Sequence, residues 1–201
     1  MSFFESVPER PPPPFEGPGN PAWLRPDAVI PGVAAAELFL IRTDQVAVAV
    51  GSMRAYPNGF EFTVQVRLRQ EVFFWGKGPL DWLADLRTRR APEQALRLGV
   101  RYADGRRART TSHRPTIFDE SDGEHLVLLQ VGSGGTERQW DGNFWVHPLP
   151  PDGPVTFVAS WLLHQVAETR TELDSSAIQE AAGRAVILWP DEPDSPSGHR
   201  G

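Results

Sequence analysis

The 201-residue chain contains no cysteine. That excludes a disulfide framework, a thiolate metal site and a cysteine nucleophile. Lysine is nearly absent as well: Lys77 stands alone beside 19 arginines. With abundant alanine, glycine and proline, this bias points to a GC-rich coding sequence rather than to a chemistry. No run approaches the about 18 apolar residues a membrane-spanning helix needs. Met1-Ser2-Phe3-Phe4-Glu5 has neither the basic region nor the apolar run of a secretory leader, and no Asn-x-Ser/Thr sequon occurs. A cytoplasmic protein without membrane segments is expected.

Proline is plentiful but unevenly placed. Nine of the 20 prolines fall in residues 1–31, four of them as Pro11-Pro12-Pro13-Pro14. Proline fixes φ and removes a donor, so 1–31 reads as a proline-rich flexible arm. Its aromatics Phe3, Phe4, Phe15 and Trp23 are unusual for such a segment, and the region around Trp23-Leu24 is expected to lie on the domain surface or on a partner. The tail 190–201 reads as disordered. Between them, 32–189 forms one domain.

Within that domain the period is mostly two. Phe60, Phe62, Val64, Val66 and Leu68 alternate with polar residues, and Val46, Val48 and Val50 alternate with small ones. Pro57-Asn58-Gly59 joins these two strands. Further strands are expected at 37–42, 95–102, 106–112, 125–131, 136–140, 144–147, 154–163, 169–173 and 185–189. Leucines at 80, 83 and 86 allow a short helix over 78–90. A better helix lies near 175–184, capped by Asp174-Ser175-Ser176, with Ile178, Ala181 and Ala182 on one face. The fold expected is mostly β: a single β-sandwich, immunoglobulin-like or related, with one short C-terminal helix. A partly open β-barrel is the alternative.

Residues 87–114 hold nine arginines against two acids, a net +7 in a chain of net −6. Ala103-Asp104-Gly105 suits a three-residue hairpin loop ending in a left-handed glycine. In that register Arg101 faces Arg107 and Gly99 faces Arg109. Leu96, Leu98, Val100, Tyr102 and Ala108 then share one face, and Arg97, Arg101, Arg107 and Arg109 the other. Like charges opposite one another repel, so compensation is expected. An acidic protein surface or another anionic ligand would provide it through bidentate contacts. So would Asp119, Glu120, Asp122 and Glu124 of the next loop, folding back, or simple solvation. The acidic remainder of the chain disfavours nucleic acid.

In Gln139–His147, Asp141-Gly142-Asn143 reads as a hairpin turn. Trp140, Phe144 and Val146 fall on one face, Trp145 and His147 on the other. The simpler reading puts all seven tryptophans in the core or over sheet edges. An exposed Trp145 would instead stack on a sugar or anchor an interface. Phe73-Phe74-Trp75 breaks the period and reads as an edge, a bulge or an exposed patch. Gly132-Ser133-Gly134-Gly135 reads as a flexible hairpin loop, since it lacks the ending of a phosphate cradle. The five histidines show no ligand spacing, and no Gly-x-Ser-x-Gly elbow occurs. No metal, cofactor or catalytic residue is expected.

Three stretches resemble an uncharacterised protein family of high-GC Gram-positive bacteria. They are Arg54-Ala55-Tyr56-Pro57-Asn58-Gly59-Phe60-Glu61-Phe62-Thr63, Asn143-Phe144-Trp145-Val146-His147-Pro148-Leu149-Pro150, and Glu168-Thr169-Arg170-Thr171-Glu172-Leu173-Asp174 with Leu188-Trp189-Pro190. The resemblance implies a bacterial, cytosolic protein and no mechanism. Three functions follow from the residues. The first is a non-catalytic binding or protein-interaction module using the arginine face and aromatic hairpin tips. The second is a hydrolase or carbohydrate-active protein with a cleft of Trp140, Trp145, His147 and carboxylates. The third is a structural subunit of an assembly.

Overall fold

Alternation sets the longest strands of the computed structural model, which describes residues 21–70, 96–110 and 125–189. The expectations for 78–90, Phe73-Phe74-Trp75, the 119–124 loop and the 190–201 tail lie outside the described residues. In chain order the strands are β1 (Val29–Ile30), β2 (Gly32–Ala34), β3 (Leu38–Arg42), β4 (Val46–Tyr56), β5 (Gly59–Leu68) and β6 (Arg97–Arg101). They continue as β7 (Arg107–Arg109), β8 (Val127–Gly135), β9 (Gln139–His147), β10 (Pro154–Trp161), β11 (Val166–Asp174) and β12 (Val186–Ile187). One helix, α1 (Ser176–Gly183), precedes β12.

Two antiparallel sheets enclose the core. The larger runs β2-β4-β5-β9-β8, with β3 also pairing with β4; the smaller runs β11-β10-β6-β7. A residue at positive φ, Ser52 at 50°, bends β4 where its register with β5 shifts. One half of β4 then pairs with β3 and the other with β2. Val48, Val50, Phe60, Val64 and Phe144 of the large sheet and Val155 and Trp161 of the small one are fully buried. Phe62 meets Phe157 edge-on across the layers, with centroids 5.2 Å apart. The Tyr102 hydroxyl donates to the Pro148 carbonyl at 2.6 Å, and burial pushes its pKa far up. The architecture is a β-sandwich, with no closed barrel among the described strands.

Helix α1 covers one end of the core with Ile178 and Ala181. The Asp174 carboxylate accepts from the Ser176 N–H at 2.8 Å, so Asp174 rather than Ser175 satisfies the helix start. Gly32 admits the helix: a Cβ there would lie 1.8 Å from the Ala181 carbonyl oxygen.

Two turn assignments are corrected. Asp141-Gly142-Asn143 is no turn but the middle of β9, paired with Gln65, Val64 and Thr63. Gly142 is needed because the Trp140 ring lies over it; a Cβ there would sit 2.0 Å from that ring. Gly132 to Gly135 is no loop but the end of β8, paired with β9. The turn falls instead after Gly135, where the Thr136 N–H donates to the Gln139 carbonyl at 2.7 Å. Residues 29–30, expected in the flexible arm, pair as β1 with β12.

Candidate anion-binding face

The hairpin β6–β7 has the register its loop chemistry dictates. Arg101 lies opposite Arg107, Val100 opposite Ala108 and Gly99 opposite Arg109. Gly105 supplies φ of +92°, and its N–H donates to the Tyr102 carbonyl at 3.0 Å. Asp104 accepts from the Arg106 backbone N–H at 3.0 Å and from its Nε at 2.7 Å. The backbone N–H, then the guanidinium, hold the Asp104 carboxyl below its ordinary pKa. Arg106 also lies over the Tyr102 ring, 5.5 Å from its centroid. This arginine therefore serves the hairpin itself. Leu96, Leu98, Val100 and Tyr102 are buried against the core, which turns Arg97, Arg101, Arg107 and Arg109 outward.

Pairing extends this face across the sheet. Paired residues of antiparallel strands share a face. One row therefore reads Arg107, Arg101, Thr156, Glu172, and the next Arg109, Gly99, Val158, Arg170. Arg97 belongs to a third row, opposite Ser160. Three strand spacings separate the ends of each row, roughly 14 Å at the usual spacing. Between them lies a concavity of about 500 Å³ lined by Arg101, Arg107, Arg109, Arg170, Thr156 and Gly99, among others. Gly99 keeps its floor low, since a Cβ there would come within 3.2 Å of the Ala108 carbonyl oxygen.

The face carries five arginines against Glu168 and Glu172. Arg170 is engaged with Glu168, through Nε at 3.0 Å and Nη2 at 2.7 Å. Among the described residues, no ion pair or side-chain hydrogen bond holds the guanidinium of Arg97, Arg101, Arg107 or Arg109. The structure thus gathers Arg101, Arg107 and Arg109, leaves Arg97 outside the concavity, and adds Arg170. Arg170 lies in the strand expected at 169–173, but its place beside the hairpin follows only from the pairing through β10.

The aromatic candidates are placed differently. Trp140 points into the core and is 6% exposed. Trp145 and His147 point to the opposite side of β9, so the three do not line one cleft. Nor is Trp145 a stacking platform: it is fully buried. Residues 21–25 cover it. Its Nε1–H donates to the Trp23 carbonyl at 2.9 Å, and Tyr56 packs edge-on at 5.5 Å. The Asn58 amide donates to the Ala22 and Leu24 carbonyls, both at 2.8 Å. His147 Nδ1 lies 2.7 Å from the Asn58 carbonyl, which makes Nδ1 the protonated nitrogen. Burial lowers the His147 pKa most; that contact opposes the shift and Arg106 adds to it. These aromatics hold the domain's own chain, so they are not hairpin tips offered to a partner.

Sequence reasoning missed Glu61. It lies on the outward side of β5, yet it is 1% exposed. Arg25 reaches it at 2.5 Å, Arg54 at 3.0 Å and the Tyr56 hydroxyl at 3.3 Å. The one arginine of the covering segment 21–25, Arg25, was the available signal. Among the described residues no three His, Asp or Glu side chains are grouped to hold a metal ion. No described helix is long and apolar enough to cross a membrane. The chain matches no protein-family model, no curated protein and no solved structure.

Proposed function

We propose that this protein is a binding module that takes an anionic partner, an acidic protein surface, on the outer face of its small sheet. The observation behind this reading is the Arg101–Arg107 cross-strand pair, with Arg109 beside it, none of the three held in an ion pair among the described residues. Like charges held opposite one another cost stability, and an anion reverses the sign of that term. The register keeps both arginines on this face, because moving Arg101 off it would turn Val100 to water. A concave face four strands wide suits an extended acidic segment with several carboxylates. The described lining residues favour charge recognition: three arginines without an ion pair stand around the concavity.

The test is fluorescence anisotropy with a labelled deca-glutamate peptide. Binding is expected at low salt and should weaken steeply as salt is raised. Arg101→Glu with Arg107→Glu should abolish it. Binding unchanged in that double variant would remove the face from the account. A wild-type chain that binds no acidic peptide even at low salt would point to neutralisation from within the chain.

A further inference from the structure

Thr156 is only 5% exposed, yet it belongs to the outward side of β10. Its chain neighbours Val155 and Phe157 are buried in the core, and successive side chains of a strand point to opposite faces. Its side chain therefore lies on the arginine side of the small sheet, where it lines the concavity. The hydroxyl makes no hydrogen bond among the described residues. The described side-chain atoms sealed from solvent without a partner are Asn58 Oδ1, Trp161 Nε1 and His164 Nε2, and the Thr156 hydroxyl is not one of them. What opening it has is therefore into the concavity. Arg101 lies directly opposite Thr156 on β6, with Arg107 beyond it. Arg109, Gly99 and Arg170 occupy the next row. Glu168 is the one acid in the lining, and Arg170 already holds it at 2.7 Å. Four arginines against that acid give the lining a net +3.

Building on the anion-binding reading of this face, we propose that Thr156 marks a subsite for one phosphate monoester, carried as a phosphorylated side chain by the extended partner segment. The reasons are shape and charge. A carboxylate is planar, with two oxygens and one charge, and a single arginine satisfies it side-on. Carboxylates on one side of an extended segment stand about 6.6 Å apart, so each brings one charge to a different part of the hollow. Three guanidiniums without an ion pair beside one buried hydroxyl exceed what one such group takes up. A phosphate monoester brings three terminal oxygens in different directions and about −1.5 to −2 of charge at pH 7. One oxygen accepts from the Thr156 hydroxyl and the others from Arg101 and its neighbours. Gly99, with no side chain beside Arg101, leaves room for the group. A partner that closes over the hollow without an acceptor for the hydroxyl leaves a buried donor unpaired, which is the source of selectivity.

Fluorescence anisotropy on the full chain separates this subsite from the broader reading. The probes are labelled deca-glutamate and the same peptide with its central Glu-Glu replaced by phosphoserine-alanine, which nearly keeps the net charge at neutral pH. The phosphopeptide should bind the wild-type chain at least about tenfold more tightly at equal salt. Thr156→Val keeps the branched shape and removes the hydroxyl, and it should erase most of that about tenfold preference. Equal affinities of the wild-type chain for the two peptides overturn the subsite and leave the broader reading standing. Binding of the phosphopeptide alone supports the subsite and overturns the broader reading, and binding of neither overturns both. A preference that survives intact in a folded Thr156→Val chain overturns the subsite; should that variant unfold, the wild-type comparison decides. Free phosphoserine tests the source. Displacement of the phosphopeptide only at about a hundredfold or more above its own dissociation constant supports a protein-borne phosphate, because the flanking contacts are then needed. Displacement at that constant itself overturns it in favour of small phosphate esters.

Discussion

Trp145 donates its indole N–H to the main-chain carbonyl of Trp23 at 2.9 Å, across 122 positions of sequence. The bond fastens residues 21–25 over the outer face of the large sheet, and the Asn58 amide fastens the carbonyls on either side. Trp145→Phe keeps most of the apolar volume and removes the donor. It should cost about 1–3 kcal/mol, the penalty for leaving a buried polar group without its partner. Urea denaturation measures the loss, and hydrogen exchange should localise it to 21–25.

Glu61 is buried between Arg25 and Arg54, whose side chains are 48% and 46% exposed. Removing the carboxylate leaves two guanidiniums that still reach water. Glu61→Ala should therefore cost about 1–3 kcal/mol, less than the loss of one member of a wholly buried pair. Arg25→Ala should cost less again, because Arg54 and the Tyr56 hydroxyl remain. A double-mutant cycle between Arg25 and Glu61 should show coupling; purely additive losses would refute the pairing.

Gly142 and Gly134 both lie in strands, but only one is crowded. Gly142→Ala drives a methyl into the Trp140 ring, 2.0 Å away, and should cost about 1–3 kcal/mol or more through overpacking. Nothing lies within 4 Å of a Cβ at Gly134. Gly134→Ala should be neutral or stabilise by up to about 1 kcal/mol through the unfolded chain. Thermal melts of the two variants side by side decide the matter.

Burial depresses the pKa of both His147 and His164 below the ordinary 6.5. Above that value both states hold these rings neutral, and they contribute no pH dependence. As pH falls through it, the unfolded chain binds protons that the folded chain refuses. Stability should therefore fall from about pH 6.5 downward, by at most about 1.4 kcal/mol per pH unit for each histidine. His147→Asn, which keeps a donor for the Asn58 carbonyl, should flatten part of that slope in melts between pH 7.5 and 5.5.

How much of this was legible beforehand follows from the range of each interaction. Alternation at 46–50 and 60–68, the Pro57-Asn58-Gly59 turn and the Ala103-Asp104-Gly105 hairpin are local, and the side-chain period of two is a property of the strand itself. They were enough to place Arg101 opposite Arg107 and to turn both away from Val100. The two misread glycine segments show the limit. Gly142 stands under a tryptophan and Gly132–Gly135 pairs with a strand, yet glycine in a turn and glycine under a ring look identical in one dimension.

What the sequence determined by itself was the alternating strands, the face their side chains take and the concentration of arginine on one hairpin. Only the tertiary structure decided which strands are neighbours. That decision brought Arg170 beside Gly99 through β10, laid Arg25 on Glu61, buried Trp145 and left the β1–β12 ribbon in water. The reason is physical. Faces follow from backbone geometry within a few residues, whereas neighbours follow from the packing of a whole core, in which residues over a hundred positions apart compete for the same contact.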